Sequence, residues 1–214
     1  LFRSLLAYFT NASSVTIWKD VPGVMSADPK RLPGAIVFEE LPYTEAAEMT
    51  YYGASVIHPK TIKPLQNKHI PLYVKSFLDP SLPGTTISGS HTKNLPPIIV
   101  QKKNQVLIRF RSKDFSFVEE KPVQQLHELF NKLKIKPNLS QHTAISLLCC
   151  FDDHAEKIGK LAAGASEIFD VEVEKDLLLL TIRHYNEKTI TELTAGKHIV
   201  LEQKTEETIQ VLMR

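Results

Sequence analysis

Apolar residues recur at helical spacing from the very start of the chain, at Leu1, Phe2, Leu5, Leu6 and Phe9, and predict a helix already under way at the first residue. A polar turn, Asn11 to Ser14, then leads into a β-rich run, Val15 to Trp18. The pattern continues with a strand at Ala35 to Phe38 and a helix from about Thr44 to Tyr52 that carries Ala46 and Met49 on one face. Gly53 suits the left-handed position that closes a helix. Beyond it come a tight segment at Ala54 to Ile57, a helix at Lys60 to Asn67, a strand at Leu72 to Ser76 and a short one at Thr85 to Ile87. Such alternation of helix and strand favours an α/β layer.

Prolines, glycines and serines break the periodicity between Asp79 and Pro97, and a domain boundary is expected near Lys93 to Pro97. The rhythm then changes. A strand at Val106 to Arg111 precedes a helix with Val123, Leu126, Phe130 and Leu133 on one face, followed by strands at about Lys136 to Leu139 and Thr143 to Phe151. A helix at Asp153 to Ala163 and a strand at Ile168 to Glu174 complete β-α-β-β-α-β, the ferredoxin-like order, which is α+β. The pattern restarts with a strand at Leu177 to Arg183, a helix at Glu187 to Ala195 and a hairpin of His198 to Gln203 with Thr208 to Met213, so the second unit lacks its last helix and strand. Three parts are therefore expected, at 1–95, 98–175 and 176–214.

Length and composition narrow the function classes. At 214 residues, 43% hydrophobic, 23% charged and with a formal net charge of +2, the chain has room for more than one core and no charge excess suited to a polyanion. Nucleic acid is not an expected partner. No apolar run reaches the roughly 18 to 20 residues of a membrane span and no basic-then-apolar opening resembles a signal peptide, so the cytoplasm is the expected compartment. Cys149 and Cys150 are adjacent in an apolar strand, where neighbouring side chains point to opposite faces, and they read as reduced core residues. Eight histidines show no HExxH or CxxC-like spacing, and no metal site is expected. His127 and His142 read as surface or satisfied polar positions.

Candidate chemistry is sparse. Gly84 and Gly89 fit the GxxxxG half of a P-loop, but Ser90-His91 follows where Lys-Ser/Thr belongs, and the match fails. Lys19-Asp20 ends the first strand, the end at which α/β sheets bind ligands, and Pro22-Gly23 supplies residues that a type II turn prefers. The pair could meet a phosphate and a hydroxyl or amine, or simply cap the turn. Lys30 and Arg31 could likewise hold phosphates or solvate their loop. Glu45 and Glu48 lie one helical turn apart, and solvated first-turn carboxylates explain them more simply than acid–base chemistry.

Taken together, WKDVPGVMSADPK, EAAEMTYYGASVIHPKTI, IPLYVKSF and PGTTI resemble, in order and spacing, the C-terminal half of the aspartate kinase catalytic domain within the amino-acid kinase family. The resemblance covers Leu1 to about Ser88, and the AAEM…YGA…HP string separates aspartate kinases from other members such as glutamate kinases. It implies transfer of the ATP γ-phosphoryl group, with Mg²⁺, to the side-chain carboxylate of L-aspartate, the entry to lysine, threonine and methionine synthesis. Such transfer rests on positioning and charge neutralisation. The family's phosphate-binding lysine, glycine-rich loop and aspartate-binding residues would precede Leu1, as though the chain were cut from a longer one, so no catalytic residue is expected here and the chain alone would be inactive. On the nucleotide side the resemblance carries over to Lys19, Asp20, Met25, Lys30, Ser55 and Val56. Many relatives have Thr, Tyr, Arg and Lys at positions 19, 25, 30 and 55, which leaves Asp20 the firmest of the transfers.

In the same enzymes two ferredoxin-like ACT domains follow the kinase domain, bind regulatory amino acids and pair into a homodimer, which fits the tandem pattern. The effector positions correspond to the stretch from Phe115 to Lys121, with Phe115 and Phe117, and to Asn138, Gln141, His142 and Thr143. Lysine-sensitive members show Thr-Ser-Glu where this chain has His142-Thr143-Ala144. Without that Glu a lysine ammonium loses its obvious partner, so threonine, something else or no effector stay open at this point, with lysine or threonine the amino acids that the resemblance implies. The alternative to an enzyme part is a regulatory module that binds an amino acid and does no chemistry.

Overall fold

A computed structural model describes residues 2–54, 57–90, 94–114, 116–117 and 120–214. The chain forms two compact units. One comprises Leu1–Val100, Thr181–Ala195 and Lys204–Ile209, and the other Gln101–Leu180, Gly196–Gln203 and Gln210–Arg214.

The first unit begins with helix α1 (Phe2–Thr10) and strand β1 (Val15–Lys19), then β2 (Glu40–Pro42), α2 (Tyr43–Tyr51), α3 (Pro59–Asn67), β3 (Leu72–Ser76) and β4 (Thr85–Ser88). Its sheet has the order β1-β3-β4-β2, with β1 parallel to β3, β3 antiparallel to β4 and β2 parallel to β4. Alternating Leu72 and Val74, with Leu41 and Ile87, lie on the core face and meet Ala46 and Met49 of α2 and Ile62 and Leu65 of α3. Helix α3 is set at its start by the His58 ring, whose Nδ1 accepts from the Lys60 N–H at 3.2 Å, and by Pro59 in the first turn.

Four helix ends follow one rule. Gly53 closes α2 at φ 110°, and the Ala54 N–H reaches back to the Met49 carbonyl at 2.9 Å. The same backward bond joins Ala12 to Ala7, Ile70 to Leu65 and Ile135 to Phe130, and the left-handed residue in each case is Asn11, His69 or Lys134. The strand expected at Ala35 to Phe38 is not formed. Ile36 and Val37 are exposed, and the run makes only an isolated bridge, Met25 to Val37. Pairing with β4 starts at Glu40, where Leu41 turns into the core.

The second unit is built on β5 (Ile98–Ser112), α4 (Glu120–Leu133), β6 (Leu139–His142), β7 (Ser146–Asp152), α5 (Ala155–Ala165) and β8 (Phe169–Arg183), followed by α6 (Glu187–Thr194), β9 (Ile199–Lys204) and β10 (Thr208–Met213). Both β5 and β8 cross from one unit into the other along the chain, and α6 belongs to the first. The strand order is β6-β7-β5-β8-β10-β9. The first β-α-β-β-α-β set thus occupies one side in ferredoxin-like order. In the shortened second set β8 has β5 on the flank opposite β10.

Two separate strands expected at 168–174 and 177–183 are one, β8, in which Asp176 takes a left-handed φ of 60° without ending the strand. Asn104 does the same in β5, at φ 54°. Asn and Asp tolerate that conformation better than other side chains, so the ladder survives what looked like a break. The expected strand at Lys136 to Leu139 begins only at Leu139, although the Asn138 N–H already donates to the Cys150 carbonyl of β7 at 2.7 Å.

One sheet face packs Phe110, Phe151 and Phe169 against Phe130 of α4 and Ile158 and Leu161 of α5. The ring centroids of Phe130 and Phe151 lie 5.3 Å apart, edge to face. The other face holds Leu107, Leu139, Leu179 and Leu212. Cys149 belongs to the first cluster and Cys150 to the second, as strand alternation demands. Burial pushes the Cys149 thiol up to about 11, against a weak hydrogen bond from Ser140. Cys150 rises to about 12 through burial and then the Asp152 charge. Neither thiol should therefore react with iodoacetamide at pH 8 in the folded chain, and both should react in denaturant. Mass spectrometry that found a modified native thiol would contradict this packing.

Candidate functional site

Parallel pairing puts the C-terminal ends of β1 and β3 at one edge of the first sheet, with Lys19 opposite Ser76. The chain leaves β1 through Asp20, and the Phe77 N–H donates to the Lys19 carbonyl at 2.8 Å, so the two strand exits stay joined. Lys19 is half-buried and Asp20 is exposed. In open α/β sheets, ligands bind beyond the C-terminal ends of parallel strands, and β1 and β3 present such an end here.

Between Asp20 and Phe38 runs a loop held at its neck by Thr85, the first residue of β4. The buried Thr85 hydroxyl accepts from the Val24 N–H at 2.8 Å and donates to the Phe38 carbonyl at 2.5 Å. Gly23 lies so close that a Cβ there would sit 2.5 Å from Thr85 Oγ1. The type II turn expected at Pro22-Gly23 is not made, since Gly23 does not adopt the positive φ that turn requires. Its glycine answers to space rather than to backbone angle. Within the loop the Ser26 N–H donates to the Ile36 carbonyl at 2.9 Å, and the Ser26 hydroxyl accepts from the Ile36 N–H at 3.1 Å. Met25 is half-buried on this frame. At the tip, Asp28 Oδ1 accepts from the Lys30 N–H at 3.0 Å and Oδ2 lies 3.6 Å from Arg31 Nε. Arg31 is thereby turned back on its own loop, while the Lys30 side chain is exposed.

The structure thus brings Lys19, Asp20, Met25 and Lys30 onto one strand edge and the loop that leaves it. Ser55 and Val56 lie outside the described residues. Among the described residues no group of three His, Cys, Asp or Glu side chains is placed to hold a metal ion. Nor, among them, is any helix long and apolar enough to cross a membrane.

In the second unit the Ser112 N–H donates to the Ile145 carbonyl at 2.9 Å, which sets the start of the β5–α4 loop beside the β6–β7 turn. His142 and Thr143 stand at that turn, both exposed, and Thr143 closes it through the Ser146 carbonyl at 2.8 Å. Gln141 pairs with Leu148 in the ladder, and its Oε1 is buried without a partner among the described residues. Phe117 is exposed in the loop, and Phe115 lies outside the described residues. In the loop Asp114 accepts from the hydroxyls of Ser116 and Ser112, at 2.6 and 2.8 Å, which hold its carboxyl down at about 2. Asn138 stands apart from the turn. Its amide donates to Gln105 Oε1 at 2.8 Å and to Asp152 Oδ1 at 3.1 Å, and its carbonyl oxygen accepts from Lys102 Nζ at 2.8 Å. Five residues of strand, about 17 Å, separate it from Thr143.

Glu45 overturns its sequence reading. It is not solvated but buried, 7% exposed, because Arg183 at the end of β8 reaches it with two parallel bonds, Nη2 to Oε1 at 2.5 Å and Nε to Oε2 at 3.0 Å. Burial alone would raise the Glu45 carboxyl, but the Arg183 hydrogen bond and charge, then those of His184, hold it below the ordinary glutamate range. The signal for this lay in LLLLTIR, where a single cation ends a buried apolar run and needs a buried anion.

Comparison with known proteins follows this geometry. Residues 3–76 match the amino acid kinase family. The chain is 43% identical over 84 residues to a maize bifunctional aspartokinase/homoserine dehydrogenase, chloroplastic, a match spanning 39% of this chain and 9% of the relative. It is 39% identical over 112 residues to the lysine-sensitive aspartokinase 3 of Escherichia coli, spanning 51% of this chain and 24% of that protein. The crystal structure of E. coli aspartokinase III with lysine and aspartate superposes at TM-score 0.78 and 25% identity, over 98% of this chain and 50% of that one. Clostridium acetobutylicum aspartate kinase shares the fold at TM-score 0.84 and 19% identity, over 99% of this chain and 53% of that one. The chain therefore spans about half the length of these solved structures and a quarter or less of the curated relatives. Over nearly its whole length the chain shares its fold with aspartokinases of known structure.

Replacing Thr85 by Val should strand the buried Val24 N–H and destabilise the chain by about 1–3 kcal/mol, whereas Ser should cost less. Urea unfolding with equal losses for both would contradict the tie. Glu45 contributes stability that is complete above its unfolded value near pH 4.5 and is lost as pH falls through its lower folded value. Arg183→Met, which leaves that carboxylate buried and unpaired, should cost about 3–5 kcal/mol at pH 7, and the gap from wild type should narrow in urea melts below about pH 4.

Proposed function

We propose that this chain is part of an aspartate kinase that transfers the ATP γ-phosphoryl group to the side-chain carboxylate of L-aspartate. On this reading residues 1–95 complete the nucleotide side of the kinase domain, 98–175 form a first regulatory unit and 176–214 a second, shortened one. The observation that carries it is the strand edge and tied loop of Lys19 to Lys30, within the segment that matches the amino acid kinase family and at the ligand end of the sheet. An E. coli aspartokinase III of this fold has been solved with aspartate and ADP, at 24% identity and TM-score 0.80.

Each residue has a physical task. Asp20, at the turn, accepts hydrogen bonds from the nucleotide's sugar hydroxyls or amine, and Lys19 beside it meets phosphate. Lys30 adds positive charge from the loop tip. Met25 gives an apolar wall, and Ser55 and Val56 flank the base. Magnesium would be supplied with the nucleotide, where it would offset phosphate charge; among the described residues no group of three His, Cys, Asp or Glu side chains is placed to hold it. None of the positions carried over to this chain holds the reacting aspartate, and on this reading the chain alone is inactive. A cytoplasmic homodimer, paired through the regulatory units, completes the proposal. Its effector is an amino acid, lysine or threonine, near Phe115, Phe117, Gln141, His142 and Thr143, with Asn138 at the far end of β6.

A second reading, an amino-acid-binding module without chemistry, is favoured by the tandem ferredoxin-like order of the second unit. Calorimetry of the chain separates the two. Binding of MgATP is expected on the kinase reading, and binding of lysine or threonine without MgATP would support the module. In the longer protein, aspartate phosphorylation is expected. Asp20→Ala should raise the KM for ATP about tenfold, the loss of one charged hydrogen bond, and an unchanged KM would remove Asp20 from the site.

A further inference from the structure

Arg183 is 8% exposed at its side chain and gathers three stretches of the first unit that are far apart in sequence. Its guanidinium holds Glu45 of α2 by the two bonds described, donates through Nη1 to Thr208 Oγ1 at 2.8 Å, and through Nη2 to Glu207 Oε2 at 3.1 Å. Glu48, one turn along α2, lies 3.7 Å from Nη1, and His184 Nε2 lies 3.2 Å from Glu45 Oε2. One guanidinium thus serves three carboxylates, and it is the common member of each pair. The fixed fork of Arg suits that task, and a Lys point charge could not span it.

Two features make the cluster more than a stabilising contact. Arg183 is the last residue of β8, a continuous strand whose first twelve residues, from Phe169 to Leu180, belong to the second unit. On the other side, α2 runs directly into the segment that carries the candidate nucleotide positions 55 and 56. Strands are stiff along their length, and a bidentate buried ion pair has two discrete states, made or broken, with little between.

We propose that Arg183 is a charge latch that couples the end of β8 and the start of β10 to helix α2, so that a shift along β8 is read by α2 as the making or breaking of the Glu45 pair. The latch stands on the ion-pair geometry. Its consequence for nucleotide binding rests on the kinase reading. The carboxylate excess around Arg183 means that losing the guanidinium leaves Glu45, Glu48 and Glu207 without the cation they share. Both sides of the contact should then loosen together.

Hydrogen exchange followed by mass spectrometry on the full chain tests this with Arg183→Met, Glu45→Gln and the double variant Glu45→Met/Arg183→Met, each checked for fold by circular dichroism. Glu45→Gln is the mild variant that decides the matter if Arg183→Met fails to fold. Exchange should accelerate at least tenfold in both α2 and the segments 184–195 and 204–209, with α4 and α5 unchanged. The double variant, which strands no charge between the two sites, should recover part of the loss. Acceleration confined to the mutated element, or spread evenly over all helices, would overturn the latch. MgATP titration of the same proteins keeps the two readings apart. A wild type that binds no MgATP speaks against the kinase reading and leaves the exchange result standing, whereas a wild type that binds and variants that bind equally well would end the link from latch to nucleotide.

Discussion

A guanidinium taken out of water must be met by anions, and much of the first unit's composition follows from that demand at Arg183. Thr181–Ala195 and Lys204–Ile209, which carry Arg183, Glu207 and Thr208, belong to the same unit as Glu45 and Glu48 of α2. The same demand explains why a helix whose start has no side-chain cap still carries a buried Glu in its first turn. It also accounts for the bonded pair at the β8 and β10 ends, where Thr208 and Glu207 complete the donor fork. Apolar packing sets the layers, and this ion pair decides which distant segments close upon them.

Much of the architecture was legible because apolar spacing reports burial, and burial here tracks the elements closely. The stripe at Val123, Leu126 and Phe130 became α4, and the helix expected at Asp153 to Ala163 became α5. The adjacent cysteines went to opposite faces. What failed were places where polar side chains decide the backbone. Ala35 to Phe38 has a strand's composition but no strand beside it along its length, so it makes one bridge. Asp176 reads as a stop and is not one, since a carboxamide or carboxylate side chain can sit in left-handed conformation without breaking the ladder. Only Gly53 announced a helix end in the sequence. Asn11, His69 and Lys134 do the same work, but no propensity marks His or Lys for it.

The candidate site was legible in a different manner. Lys19 and Asp20 stand at a strand exit as their spacing suggested, yet spacing alone left a turn cap as good an account, and resemblance to a family supplied the preference. Thr85 gave no signal, because a threonine in a β-rich run looks like any strand residue until the two chain segments at its hydroxyl are seen. Glu45 was misread because a carboxylate in a first helical turn is ordinarily solvated. Its partner lies 138 positions away, a separation no local pattern reaches.

Those three left-handed helix ends bear on how much sequence change the fold can absorb. A non-glycine side chain in that conformation stores roughly 1–2 kcal/mol, least for Asn, that glycine would release in part. Asn11, His69 and Lys134 therefore mark a reserve spread over three helices, at positions other than the candidate nucleotide residues and the buried ion pair. A lineage carrying this chain could draw on that reserve to offset damage elsewhere, leaving the chemistry-bearing residues to vary on their own account.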